Sequence, residues 1–333
     1  MSFNDCLVRR GMCFSVLDPI SLPATPGMDF IGVVTVVGSA VTEWKEGDRV
    51  AGLVQTGANA RYIVVPQTTL MPVPRYVDAS DAVCLISTYM TAYQSLKMAW
   101  RQLGCVDNGT DDKDQKDTRA LPLQGKRLLI VGGIDPVCQA LIQLAKHFGA
   151  DQVYCTAPSN KHSYIKSVLK ASPVPMDTKD WLLLMEGSID IVFDQACQDG
   201  FDSSRKALKK DGALICVGMH ALLQSESVGT FGAPLSAYWT QTKARYFMSN
   251  TQFYQVLPSF HEHSKAFRSA LAKVFALLKD RVIKPHISKR ISLGDVPEAQ
   301  ADLENGKARG VVVCLPWRRR SVAALCRTNE KRE

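Results

Sequence analysis

Residues 126–150, KRLLIVGGIDPVCQALIQLAKHFGA, constrain this chain more than any other stretch. Leu128, Leu129, Ile130 and Val131 form the short apolar run of a strand buried in a parallel sheet. Gly132 and Gly133 supply a turn, and Val137, Leu141, Leu144 and Ala145 then recur at helical spacing. A second strand is expected over residues 152–156. Strand, turn, helix and strand make a βαβ unit, whose first turn commonly holds a dinucleotide pyrophosphate at the helix N-terminus.

The turn itself departs from that chemistry. A full fingerprint uses glycine for the turn, for the approach to phosphate and for helix–strand packing. With Gly133 as the first glycine, the second position is Asp135 and the third is Cys138. Pro136 suits a first helical turn because its φ is already fixed there. The Asp135 carboxylate suits the positive end of an empty helix but repels a pyrophosphate. The expectation is a dinucleotide fold with a weakened cofactor loop.

Length and composition narrow the class. A chain of 333 residues favours two domains, and a hydrophobic content of 46% supplies a sizeable core. The longest apolar stretch, residues 31–37, is too short to span a bilayer. The first residues lack a basic segment followed by an apolar one, so no secretory leader is expected. Ten cysteines occur without a Cys-x-x-Cys pair, several of them inside apolar strands. This is the usage of reduced thiols in an intracellular, cytoplasmic protein. The formal charge of +8 lies partly in a basic tail after Pro316. No aromatic–basic interleaving accompanies that tail, so a nucleic-acid partner is not expected.

The first 98 residues read as strand-rich. Strands are expected over residues 30–38, from Arg49 to Leu53, and over 61–66, with turns between them, which suggests a small barrel. Residues 78–94 read as a helix, with Ala82, Leu85, Ile86, Met90 and Tyr93 on one face. Residues 105–124 are polar and charge-dense and read as a surface loop. Residues 224–262 read as irregular and aromatic. Helices are expected over 264–279 and 296–305, and a closing strand over 310–315.

Three segments carry a resemblance: SFNDCLVRRG (2–11), PATPGMDFIGVVTVVGSAVTEWKEGDRVAGL (23–53) and TYMTAYQSL (88–96). They resemble the GroES-like domain of medium-chain dehydrogenases/reductases, in the zinc-independent quinone oxidoreductase branch. CTAPSNKH (155–162), VGMHALL (217–223) and VIKPHI (282–287) resemble the synaptic vesicle membrane protein VAT-1 group. The resemblance implies a Rossmann-like doubly wound parallel sheet plus a GroES-like β-barrel domain. It places the barrel in residues 1–98 and 254–317, the NADPH-binding domain in 99–253, and a basic tail in 318–333. Relatives carry further strands before the Asp5 region, so the chain is expected to be truncated at its N-terminus, with unpaired barrel edges.

The resemblance also assigns residues. Thr91 is expected beside the nicotinamide, and Thr178 falls where relatives carry a cofactor-contacting tyrosine. Gly132, Gly133 and Val137 form the phosphate turn, and Gly218 and Met219 end a strand at the ligand crevice. Ser2 stands where many relatives have asparagine, while Asp5, Arg9 and Tyr93 match residues near the cleft. Asp5 and Arg9 equally suit a structural ion pair, and no proton donor is assigned. After the second strand of the βαβ unit no acidic residue awaits a ribose 2′-hydroxyl; Ser159 and Lys161 instead suit a 2′-phosphate, which favours NADPH. The alternative is that Lys161 begins a solvated helix running to Lys170.

Zinc is not expected. The position where zinc alcohol dehydrogenases carry Gly-His-Glu reads Gly27-Met28-Asp29, and a thioether does not replace imidazole there. Two function classes remain. One is an NADPH-dependent quinone or enone reductase acting on a small molecule, with a homodimer as the expected assembly. The other is a non-catalytic binding or scaffold protein, in peripheral contact with a membrane.

Overall fold

The computed structural model describes residues 1–11, 23–105, 122–176, 178, 180–224 and 229–318. Most of the expected loop 105–124 and nearly all of the basic tail lie outside the described residues. In chain order the strands are β1 (Asp29–Val33), β2 (Arg49–Leu53), β3 (Leu70–Pro72), β4 (Arg127–Val131), β5 (Gln152–Ala157) and β6 (Ser172–Pro175), then β7 (Ile189–Asp194), β8 (Leu208–Cys216), β9 (Thr251–Phe253), β10 (Ile287–Ile291) and β11 (Val311–Cys314). Four of the helices carry or flank the expected site residues: α1 (Phe3–Arg9), α2 (Ala79–Cys84), α3 (Met90–Gln102) and α4 (Pro136–His147).

The chain divides into two compact units. One comprises Met1–Ser87, Leu271–Lys279 and Lys284–Glu333; the other comprises Thr88–Ala270 and Asp280–Ile283. The second unit holds a six-stranded sheet in the order β6-β5-β4-β7-β8-β9. Every pairing in it is parallel. The chain steps outward from β4 to β6, then returns to β7 and steps outward on the other side. The order therefore reverses between β4 and β7, which opens a crevice at the carboxyl ends of those two strands. Both strands are apolar because both faces are covered: Leu128, Leu129, Ile130, Ile191, Val192 and Phe193 are fully buried.

The formation of α4 is explained by its residues. Asp135 is its N-cap and Pro136 stands in its first turn. Cys138, Leu141, Ile142, Leu144 and Ala145 are fully buried, and removing Leu141, Ile142 and Leu144 from water contributes roughly 2 kcal/mol each. Lys146 and His147 lie in the last turn, where cations suit the dipole.

The first unit contains an antiparallel sheet, β1-β2-β3, and a parallel pair, β10-β11. Asp78 caps α2, its carboxylate accepting from the amides of Ser80 at 2.8 Å and Asp81 at 3.2 Å. Here the structure differs from several expectations. The strand expected over 30–38 ends at Val33, and residues 61–66 form no strand. The consecutive β-branched residues Ile63, Val64 and Val65 have the propensity, but among the described residues no strand pairs with 61–66, and the pairing of β1 with the β2 side stops at Val34. Val36 is 79% exposed, Tyr62 69% and Val64 99%. The helix expected over 78–94 is broken by a π-turn, Leu85–Tyr89, and resumes to Gln102. The stretch expected to be irregular contains a helix, Gly229–Tyr246, then β9 and a further helix, Val256–Glu262. Arg9 pairs not with Asp5 but with Glu304, and it donates to Gln300 at 3.0 Å, because the helix Val296–Glu304 lies against α1. Asp5 instead accepts from the Ser2 amide at 2.7 Å.

Candidate functional site

The crevice is built from the loops after β4, β5, β7 and β8. Gly132 and Gly133 turn the chain out of β4 with φ of 148° and 74°, backbone that favours glycine. Their amides are used within the protein. Gly132 N donates to the Thr156 hydroxyl at 3.3 Å, and Gly133 N to the Thr156 carbonyl at 2.9 Å. At the start of α4, Pro136 has no N–H, and the Val137 amide donates to Asp135 Oδ1 at 2.9 Å. Four of the six positions from 132 to 137 thus present either no N–H or one already bonded.

Gln195, immediately after β7, is 4% exposed and sits in the middle of this arrangement. Its Nε2 donates to Asp135 Oδ1 at 3.0 Å, and its Oε1 accepts from the Cys138 thiol at 3.1 Å. Its backbone amide donates to the Val131 carbonyl at 2.8 Å and its carbonyl accepts from the His220 amide at 3.1 Å. A Cβ on Gly132 would lie 3.1 Å from Gln195 Cβ, and one on Gly218 would lie 2.9 Å from Gln195 Cγ. The two glycines expected to admit cofactor therefore face the Gln195 side chain.

Electrostatics around the crevice are governed by burial. Asp194 accepts from the amides of Ala196 and Cys197, each at 2.9 Å, and from the Ser204 hydroxyl at 2.6 Å, yet burial raises its carboxyl to about 6. Burial pushes the Cys155 thiol up to about 12, and raises that of Cys138 with help from the Asp135 charge. Burial lowers the His220 imidazole, and the Asp135 carboxylate opposes that shift.

Ser159 and Lys161 lie on a 3-10 turn directly after β5, Ser159 exposed and Lys161 half-buried. A helical turn, His162–Tyr164, and a π-turn, Ile165–Leu169, continue the chain to Lys170, so that part of the solvated-helix alternative is present. Gly218 and Met219 lie just beyond β8. Thr178 is exposed beyond β6, and Thr91 is buried in the first turn of α3. The residues brought together at the crevice are Gly132, Gly133, Val137 and Gly218, joined by Thr156, Asp194 and Gln195, which sequence reasoning passed over. Asp194 and Gln195 had a signal: they end an apolar strand on the carboxyl side, where such sheets bind ligands.

In the first unit, the donors do not suit a catalytic zinc. Met28 is buried and offers only a thioether. The Cys6 thiol donates to the Gln300 carbonyl, and burial pushes it up to about 11. Asp29 accepts from the Ser87 hydroxyl and is raised by burial. Among the described residues no group of three or more His, Cys, Asp or Glu side chains is placed to hold a metal. A cavity of about 150 Å³ lies beside Asp5, Asp29 and Asn59.

Known proteins share both parts of this chain. Residues 2–75 match the family described as alcohol dehydrogenase GroES-like domain, and residues 169–314 match the one described as zinc-binding dehydrogenase. The human synaptic vesicle membrane protein VAT-1 homolog is 26% identical over 326 residues, covering 95% of this chain and 76% of that protein. The chain belongs to the medium-chain dehydrogenase/reductase superfamily, in its VAT-1-like group. Among other relatives in the superfamily, the chloroplastic NADPH-dependent alkenal/one oxidoreductase of Arabidopsis thaliana is 30% identical over 220 residues, covering 63% of this chain and half of that protein's length. A quinone oxidoreductase structure from Pseudomonas syringae has the same fold, with a TM-score of 0.70 at 20% identity over 95% of this chain and 88% of that one. Among the described residues no helix is long and apolar enough to cross a membrane.

Proposed function

We propose that this chain is a zinc-independent oxidoreductase that uses NADPH to reduce a small conjugated carbonyl, an enone or a quinone. The observation that carries the reading is the turn after β5. It presents Ser159 and Lys161 and no carboxylate where a dinucleotide's adenosine ribose meets such a sheet. A lysine ammonium there favours a 2′-phosphate, and the serine hydroxyl adds a neutral donor. The relative named as an NADPH-dependent alkenal/one oxidoreductase supports the same reading.

Bound NADPH would supply the hydride, so the protein's part is to position and to stabilise developing charge. Lys161 and Ser159 would hold the adenosine end, and the backbone at Gly218 and Met219 would line the crevice beyond β8. Thr91 and Thr178 remain assigned by resemblance. The Met28 and Cys6 donors speak against Lewis-acid chemistry through zinc. A non-catalytic VAT-1-like binding protein is the second reading, favoured by the bond between Asp135 and the Val137 amide.

NADPH oxidation by the purified protein, with a small enone or quinone as acceptor, tests the first reading. The expected result is turnover with NADPH, slower turnover with NADH, and loss of the difference in Lys161→Ala. Turnover that prefers NADH contradicts the reading, and NADPH binding without turnover on either acceptor class favours the second.

A further inference from the structure

We propose that this chain carries its own occupant of the pyrophosphate position: the Asp135 carboxylate, held in place by Gln195, sets how tightly any dinucleotide can bind. The proposal rests on the dinucleotide reading and deepens it.

Three observations carry it. First, the Asp135 carboxylate sits at the N-terminus of a twelve-residue helix and takes the Val137 amide at 2.9 Å. An anion placed there by a ligand needs that amide and the positive end of the same dipole. Second, Asp135 does not hold this position alone. Gln195 donates to the same oxygen at 3.0 Å, while its own Oε1 is tied to the Cys138 thiol at 3.1 Å. Gln195 is packed between the Cα atoms of Gly132 and Gly218, where any side chain would collide with it. The amide that orients Asp135 is therefore itself fixed by the fold. Third, burial lowers the nearby His220 imidazole, and this opposes the pull that the Asp135 charge exerts on its proton.

A pyrophosphate entering this crevice must displace the carboxylate from the Val137 amide and then remain beside a like charge. The adenosine end of the site, on the turn after β5, is untouched by this. The protein thus combines a turn bearing Ser159 and Lys161 with a closed pyrophosphate position, and its affinity for a whole dinucleotide is the balance of the two.

Calorimetric titration of inorganic pyrophosphate and of NADPH into four proteins tests this: wild type, Asp135→Gly, Asp135→Ser and Gln195→Leu. Asp135→Ser retains an N-capping hydroxyl without the charge, so a folding defect in the glycine variant leaves the test intact. Removing the carboxylate should tighten pyrophosphate and NADPH by about tenfold or more in both Asp135 variants. Gln195→Leu, which keeps volume but frees Asp135, should give a smaller gain of the same sign. Wild type binding pyrophosphate as tightly as the Asp135 variants overturns the proposal. So does a pyrophosphate affinity that no variant changes, and in that case NADPH binding by the wild type would leave the dinucleotide reading standing. Pyrophosphate gained in the Asp135 variants, with NADPH bound by none of the four, supports the internal occupant and removes the dinucleotide reading.

Discussion

Asp194 shows how a single residue near the crevice links burial to pH. Two backbone amides and the Ser204 hydroxyl donate to its carboxylate, but burial outweighs them and raises the group from 3.8 to about 6. Between those values the folded protein holds a proton that the unfolded chain has lost. Stability contributed by this site is therefore present below about pH 4 and is lost as pH rises through about 6, by an amount on the order of 3 kcal/mol. Asp194→Asn keeps an oxygen for the two amides and removes the ionisation. Urea unfolding of both proteins across this pH range should show the variant gaining stability relative to wild type as pH rises. A constant difference between the two would mean that Asp194 does not titrate there. At the same scale, Gln195 explains why part of the site was not legible in the sequence. Its partner Asp135 lies 60 residues away, and no local pattern joins them.

Elements were legible where one physical cause dominated. The βαβ unit was, because an apolar run, two glycines and a 3.6-residue stripe all agree, and the observed elements are Arg127–Val131, Pro136–His147 and Gln152–Ala157. The helix Ser264–Lys279 was read at its observed bounds for the same reason. The helix Gly229–Tyr246 was not: it lacks a clean apolar stripe, and Tyr238, Trp239 and Tyr246 are exposed on it. Residues 61–66 failed in the other direction, since β propensity specifies a strand only when a neighbour supplies the ladder. The outcome is an apolar strip containing Val36, Tyr62 and Val64, beside a groove that Trp44 and Trp317 also line. Exposed extended segments of this kind associate edge to edge. Val64→Lys should lower concentration-dependent association, seen as a shift to later elution in size-exclusion chromatography at high load. Unchanged elution for this variant, with wild type still associating, would locate the contact elsewhere.

At the scale of the whole molecule, the nine residues expected to contact cofactor all lie in the unit containing Thr88–Ala270, whereas Cys6, Met28 and Asp29 lie in the other. Dinucleotide binding and the zinc question therefore separate by variant. Elemental analysis of the purified protein is expected to find no stoichiometric zinc; one zinc per chain, lost in Cys6→Ala, would contradict that. The central claim concerns cofactor choice: a turn after β5 built for a 2′-phosphate, with a pyrophosphate position already filled by Asp135. Calorimetric titration of NADPH and NADH into wild type and Lys161→Ala measures it most directly. The predicted result is weak NADPH binding that still exceeds NADH by about tenfold in wild type, with the advantage lost in Lys161→Ala. Tight NADPH binding by wild type, or NADH binding as well as NADPH, would contradict the account.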